Sequence, residues 1–247
     1  MKLLQWNIWY KEDIRNVLKL LREVNADVIC LQELTINHPH YNQRMNTAQF
    51  IAEGLGFHYH FKEAQSGIVD GVEEKYGNGI FSRYPILKTN HVYIQDPLDP
   101  YVENTDYDKE GRIYVEIAVN VGGRELTVGT VHMSYTHKFE PNEAKKVETN
   151  KLVEVLKSKK DNFIITGDFN SLPDSYTITE IEKYLKNLGP AQTENTWTTK
   201  PFSYNGFEVN SLDWRLDYCF ATPDVQTVSA KILETAYSDH LPILIEI

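Results

Sequence analysis

Asn7, Glu33, His132, Asp168, Asn170, Asp217, Asp239 and His240 share one property: each stands at or just beyond the end of an apolar run. A solvated surface would scatter its carboxylates, whereas sites in α/β folds collect where strands end. In Gly167-Asp168-Phe169-Asn170 an extended chain would put Asp168 and Asn170 on one face and turn Phe169 away into packing. A carboxylate and a carboxamide converging in this way can hold and deprotonate a water. The plainer alternative is an Asx turn closing a strand. Glu33 offers oxygen to a hard cation such as Mg²⁺, which is content with one or two carboxylates and keeps its waters. Asn7 would orient Glu33 or coordinate weakly, or simply cap its strand. His132 and His240 among carboxylates suit phosphate binding and proton donation near neutral pH, although a lone histidine is more often a satisfied core residue. Asp217 lies in an apolar and aromatic stretch where a carboxylate needs a partner, and His240 is the natural one.

Residues 2–8 are short, apolar and β-compatible. Over 12–24, Ile14, Val17, Leu18, Leu21 and Val24 follow helical spacing, and 27–32 is a continuous apolar run of the kind buried on both faces. Strand, helix and strand over about 30 residues make a right-handed βαβ unit. A second helix is expected over 47–55, closed by Gly56. Strands then follow at 57–61, 79–82, 86–94, 113–121 and 126–132, with Gly122-Gly123 as a hairpin turn. A helix over 142–159 would carry Ala144, Val147, Leu152, Val155 and Leu156 on one side. A strand at 162–167, a short helix at 177–186 and strands at 215–221, 225–233 and 243–247 complete the order. No linker or low-complexity tract divides it, which predicts one domain over residues 1–247, with two packed mixed sheets and helices outside.

Composition limits the partners. Against 35 Asp and Glu stand 25 Lys and Arg, a formal net charge of −10. Sequence-independent affinity for nucleic acid comes from Lys and Arg, so a phosphate ligand would need a local cation. The two cysteines, Cys30 and Cys219, lie in buried-strand patterns and do not suggest a disulfide framework. There is no signal-peptide pattern, no apolar window of membrane-spanning length and no sign of a protein partner. The expected location is the cytoplasm.

Taken in order, Gln5-Trp-Asn-Ile8, Leu31-Gln-Glu33, Gly77-Asn-Gly-Ile-Phe-Ser-Arg83, Gly111-Arg112, Thr130-Val-His132, Gly167-Asp-Phe-Asn170, Arg215-Leu-Asp-Tyr218 and Ser238-Asp-His-Leu-Pro242 resemble the endonuclease/exonuclease/phosphatase superfamily, the deoxyribonuclease-I-like metal-dependent phosphoesterases. The likeness spans almost the whole chain. It implies a four-layer α/β sandwich, two facing mixed β-sheets flanked by helices, with the site at one edge of the sheets. It also implies Mg²⁺ as cofactor, with Mn²⁺ as a substitute, held chiefly by Glu33 with Asn7 and Asp239 completing or supporting the site. Asp168 would activate the attacking water and Asn170 position it. His240, oriented by Asp217, and His132 would bind the phosphoryl oxygens, with Arg112 adding a phosphate contact and Asn78 a further substrate contact. The bound metal would invert the local charge of the carboxylates.

The implied partner is a phosphate ester, with nucleic-acid or nucleotide-derived molecules among the candidates. The stretch 95–111 carries six acidic residues against one lysine and would repel a long polyanion if it borders the site. Loops at 62–76, 133–143 and 199–214 are the other expected walls, where Tyr135, Trp197, Phe202, Tyr204 and Trp214 could stack on substrate or pack the rim. Asn195-Thr-Trp-Thr198 resembles the tyrosyl-DNA phosphodiesterase branch, from which Trp9 and Phe169 depart. A sphingomyelinase-like lipid phosphodiesterase would share the same core. A catalytically silent binding module of this fold is the alternative outside enzymes.

Overall fold

Alternation along the strands decides which side chains meet. In the computed structural model, which describes residues 1–39, 45–102 and 108–247, β1 (Lys2–Asn7) and β2 (Val28–Ile36) pair in parallel across α1 (Ile14–Val24). Asp13 caps α1 by accepting from the Arg15 N–H, and Asn25 ends it in the left-handed region. Next come α2 (Thr47–Leu55), β3 (His58–Val69), β4 (Val72–Ser82), β5 (Ile86–Gln95), β6 (Arg112–Val121) and β7 (Arg124–His132). The chain continues through α3 (Glu143–Leu156), β8 (Phe163–Asp168), α4 (Tyr176–Glu182), β9 (Lys186–Asn187), β10 (Phe202–Tyr204) and β11 (Phe207–Val209). It ends with β12 (Asp217–Ala221), β13 (Ser229–Ile232) and β14 (Ile243–Glu246).

One six-stranded sheet has the order β13-β14-β1-β2-β4-β3 and the other β5-β6-β7-β8-β12-β9, each mixed, with a separate β10-β11 ribbon. Leu3, Val28, Cys30, Ile80, Val128, Ile164, Cys219 and Ile243 form the core between the sheets. Leu4, Trp6, Ile29 and Leu31 face the other way, against α1 and α2. Phe163, Ile165, Tyr218 and Phe220 pack against α3 and α4. Helix, sheet, sheet and helix make the expected four-layer α/β sandwich. Cys30 and Cys219 are free and buried, and burial pushes the Cys30 thiol up to about 12.

Several expectations need correction. Residues 62–76 are not a loop but most of the β3–β4 hairpin, whose Asp70-Gly71 turn has positive φ at both positions, 52° and 74°. Asp-Gly is a strong hairpin signal and supports this reading. The 199–214 stretch likewise holds a hairpin turning at Asn205-Gly206. The expected strand at 225–233 shortens to β13, and the helix expected over 177–186 stops at Glu182. On α3, Val147 is 57% exposed, while Lys145 and Glu148 are buried with Leu152, Val153 and Leu156. The charged pair has taken the inward position because it serves the loops described below.

Candidate active site

The same alternation builds the site. On β1 the inter-sheet side chains run Leu3, Gln5, Asn7; on β2, Val28, Cys30, Gln32; on β7, Leu126, Val128, Thr130, His132; on β8, Ile164, Thr166, Asp168. Each stripe begins apolar and ends polar at one edge of the sandwich. His132 pairs in register with Asp168, and Asp168 with Asp217, so three neighbouring strands present the three side chains side by side.

Glu33 is an exception with a reason. Strict alternation would turn it toward the helices, but β2 carries a bulge between Leu31 and Leu34, and Glu33 has φ 61°. The extra residue turns its carboxylate into the cleft, a use of bulges common beside active sites, and Leu34 resumes packing on the helix side. Glu33 Oε1 accepts from Asn7 Nδ2 at 3.0 Å, and Oε2 from the Tyr10 N–H at 3.0 Å. Asn7 Nδ2 also reaches Asp168 Oδ2 at 3.1 Å, while its Oδ1 accepts from the Trp9 N–H. Asn7 therefore clamps two carboxylates together.

Asp168 Oδ2 is the point of convergence. His132 Nε2 and His240 Nε2 each lie 3.5 Å from it, and His240 Nδ1 lies 2.8 Å from Asp217 Oδ2. Burial raises the Asp168 carboxyl to about 7; Asp217 adds to the rise, against the opposing pull of His240. The two imidazoles diverge. Burial works against a charge on His240, but Asp217, Asp168 and Asp239 outweigh it and raise the ring to about 10. Burial, then Arg112, His240 and Lys145 hold His132 well below its ordinary range. One ring is imidazolium and the other neutral at pH 7.

The 168–170 segment does not stay extended: Asn170 has φ 45°, and its N–H donates to Asp168 Oδ1 at 2.9 Å. Phe169 turns into the core as expected. Asn170 Nδ2 donates to the Met133 carbonyl at 2.9 Å and lies 3.3 Å from His132 Nε2. Gly167 is required by close approach, since a Cβ there would sit 2.2 Å from the Val131 carbonyl oxygen. Asp239 is half-buried and accepts from Trp197 Nε1 at 3.1 Å. Asn78 and Arg112 line the same cleft, with Asn78 Nδ2 donating to the Ile113 carbonyl and Arg112 Nη2 3.4 Å from Glu110 Oε2. All ten site residues foreseen in the sequence fall within this region.

Some supports escaped sequence reasoning. Gln5 and Gln32 exchange carboxamide bonds of 2.7 and 2.9 Å across β1 and β2, Gln32 reaches Thr130, and Gln5 Nε2 donates to Asp217 Oδ1 at 3.1 Å. Trp6 Nε1 donates to the His240 carbonyl at 2.9 Å. Lys145 Nζ donates to the carbonyls of Ser134 and Phe169, tying together the chain beyond β7 and beyond β8. Their signal was position: polar side chains on otherwise apolar inward faces.

The cleft has a volume of about 950 Å³. The β3–β4 hairpin, Leu98, Pro100, Tyr101, Val102 and residues 110–112 border one side, so among the described acidic residues of the 95–111 stretch it is Glu110 that lines the cleft; Glu103 and Asp106 lie outside the described residues. Tyr135, Trp197, Phe202 and Tyr204 border the other side, whereas Trp214 packs against Phe139 and Phe207 in the rim.

The donors fit a hard divalent cation. Burial and the neighbouring Asp239 raise Glu33 and outweigh the opposing bonds from Tyr10 and Asn7 and the charge of His240, the sign of carboxylates placed close together. Asp168, Asp217 and His240 also offer ligand atoms within 4.8 Å of one another. There the 2.8 Å bond already engages His240 Nδ1 with Asp217, so the oxygen set of Glu33 and Asp239 is the better seat.

Two facing mixed sheets between helix layers, with a carboxylate and imidazole cluster at one edge, define the deoxyribonuclease-I-like class. The endonuclease/exonuclease/phosphatase family matches residues 4–240, and the chain belongs to that family. A family structure from Leptotrichia buccalis aligns over 100% of this chain and 99% of its own with a TM-score of 0.72 at 20% identity. A mannosyl-6-phosphatase from Bacteroides thetaiotaomicron aligns over 100% and 98% with TM-score 0.66 at 17% identity. TDP2 of D. rerio in complex with a single-strand DNA product aligns over 99% and 97% with TM-score 0.66 at 20% identity. Protein angel of Drosophila melanogaster is 26% identical over 167 residues, covering 66% of this chain but only 44% of that protein. Among the described residues no helix is long and apolar enough to cross a membrane.

Proposed function

We propose that residues 1–247 form one Mg²⁺-dependent phosphoesterase domain that cleaves a phosphodiester by in-line attack of water. The observation that carries this reading is the pair of imidazoles meeting at 3.5 Å on the same Asp168 oxygen, one cationic and one neutral. With Asp168 near 7 between them, the arrangement suits a site in which the carboxylate accepts one proton and cationic His240 gives another.

Glu33 and Asp239 would hold the Mg²⁺, with Asn7 keeping Glu33 in place. When bound, the ion supplies positive charge that offsets charge building on the phosphoryl oxygens. Asp168, near 7, takes a proton from the attacking water, whose oxygen forms the new P–O bond. Asn170 positions that water. His240 binds a phosphoryl oxygen as a cation and gives its Nε2 proton to the departing alkoxide as the old P–O bond breaks. Asp217 holds the ring for this through Nδ1. His132, neutral, contributes a hydrogen bond rather than a charge, and Arg112 supplies a second fixed positive group.

The named neighbours act on or bind a sugar phosphate and single-strand DNA, which share the phosphate ester. The net charge of −10 argues against long polyanions and for small or terminal esters. Hydrolysis of bis(p-nitrophenyl) phosphate should require Mg²⁺ or Mn²⁺ and vanish in Glu33→Gln and His240→Ala. Turnover that survives EDTA would overturn the metal assignment. A silent binding module of the same fold would show no turnover at all.

A further inference from the structure

Beyond Glu33, on the far side of Tyr10, the cleft changes character. Glu74 of β4 lines it while only 8% exposed. Its Oε1 accepts from the Tyr76 hydroxyl at 3.2 Å. Its Oε2 has no hydrogen-bond partner among the described residues; His38 Nε2 stands 4.0 Å away, beyond hydrogen-bond reach. Among the described residues no lysine or arginine lies within ion-pair distance of Glu74: Lys75 pairs with Glu73, and Lys11 rests over the rings of Trp9 and Tyr10. Aromatic rings wall the carboxylate, with Tyr10 and Tyr76 edge to face at 5.9 Å and His38 5.3 Å from Tyr76. Burial raises the Glu74 carboxyl. A buried carboxylate oxygen left unbonded is costly, and a ligand that both donates a hydrogen bond and carries positive charge relieves that cost.

The cleft is therefore bipolar. His240 stands at the phosphoryl end and Glu74 at the other, while Glu110 and Arg112 pair with each other at 3.4 Å. Tyr10 joins the two ends physically, since its N–H holds Glu33 while its ring packs against Tyr76. A nucleic acid strand would bring its next phosphate toward these carboxylates. A hydroxyl would satisfy the hydrogen bond but not the charge, and a quaternary ammonium has no N–H to give. Resting on the phosphoesterase reading above, we infer that Glu74, with Tyr76 and Tyr10, forms a subsite for a protonated primary amine on the substrate, so that the preferred substrates are amino-bearing phosphate esters.

The test compares 2-aminoethyl p-nitrophenyl phosphate with propyl p-nitrophenyl phosphate, its uncharged counterpart of similar size, in the presence of Mg²⁺. A charge-assisted bond to a buried carboxylate should favour the amine by about tenfold or more in kcat/KM, mostly through KM. Acetylating the amine should abolish the preference, and Glu74→Gln, which keeps an acceptor for Tyr76, should bring the ratio close to one. Equal use of the amino, acetylated and propyl esters by the unaltered protein would overturn the inference without any variant. A preference that persists in Glu74→Gln would overturn it as well. If bis(p-nitrophenyl) phosphate is also left intact, the phosphoesterase reading itself has failed; if it is cleaved, only the amine subsite has.

Discussion

His240 Nδ1 and Asp217 Oδ2 are 2.8 Å apart, and the second Asp217 oxygen is held by Gln5 Nε2 at 3.1 Å. The imidazole is thus fixed by a carboxylate that is itself fixed, through Gln5, Gln32 and Thr130, to both sheets. Asp217→Asn keeps the shape but can present its amide N–H to the ring and hold it in the wrong tautomer. In the Ser-His-Asp template the equivalent change costs on the order of 10⁴ in kcat. A loss of about 10² or more in kcat is expected here, together with a lower melting temperature near neutral pH, because the buried imidazolium loses its counter-charge. An unchanged kcat would show that His240 needs no such partner.

The same contact sets a pH dependence. His240 titrates near 10 in the folded protein and near 6.5 unfolded, so the folded state binds the extra proton between those values. Its contribution is complete below about 6.5 and is lost as pH rises toward 10. In metal-free protein, the stability advantage of the unaltered chain over His240→Gln should shrink steadily across that window, as read by denaturant unfolding at several pH values. An advantage that grew with pH would contradict the assigned charge.

Glu33 gives a binding prediction independent of turnover. Its carboxyl is raised by burial and by Asp239, so a divalent cation binding there stabilises the folded chain. Mg²⁺ at about ten times its dissociation constant should add about 1.4 kcal/mol, or roughly 2 to 6 °C in melting temperature. Glu33→Gln should abolish the shift. An equal shift in both proteins would place the ion elsewhere.

How much of this could be read from the sequence follows from what each signal depends on. Asp168, His132 and Asp217 were legible because apolar alternation ended in a polar residue, and strand pairing then brought them together. Glu33 was legible by type but not by direction, since the bulge that turns it depends on pairing with β4. Gln5 and Gln32 were legible only as polar side chains on apolar strand faces, because their pairing is a contact between strands. The clearest misreading was α3. Helical spacing favoured Val147 as core, but the demand of buried carbonyls for a donor placed Lys145 and Glu148 inside.

Lys145 is accordingly the most telling residue for that lesson. Its ammonium donates to Ser134 and Phe169 carbonyls at 2.7 and 2.8 Å and lies 4.0 Å from Glu148 Oε2. Lys145→Met leaves two buried carbonyls without this donor and Glu148 without its counter-charge. A loss of roughly 2 to 4 kcal/mol in unfolding free energy is expected. A fall in kcat should accompany it, because Phe169 lies between Asp168 and Asn170. The pH profile separates this account from generic core damage. Burial lowers Lys145 to about 8 from 10.5, so between those values the unfolded chain binds more protons and the group's contribution to stability rises with pH, opposite in sign to His240. The stability gap between the unaltered protein and Lys145→Met should therefore widen from pH 8 to 10.5. A gap that stays flat across that range would mean that Lys145 is not the buried, depressed amine described.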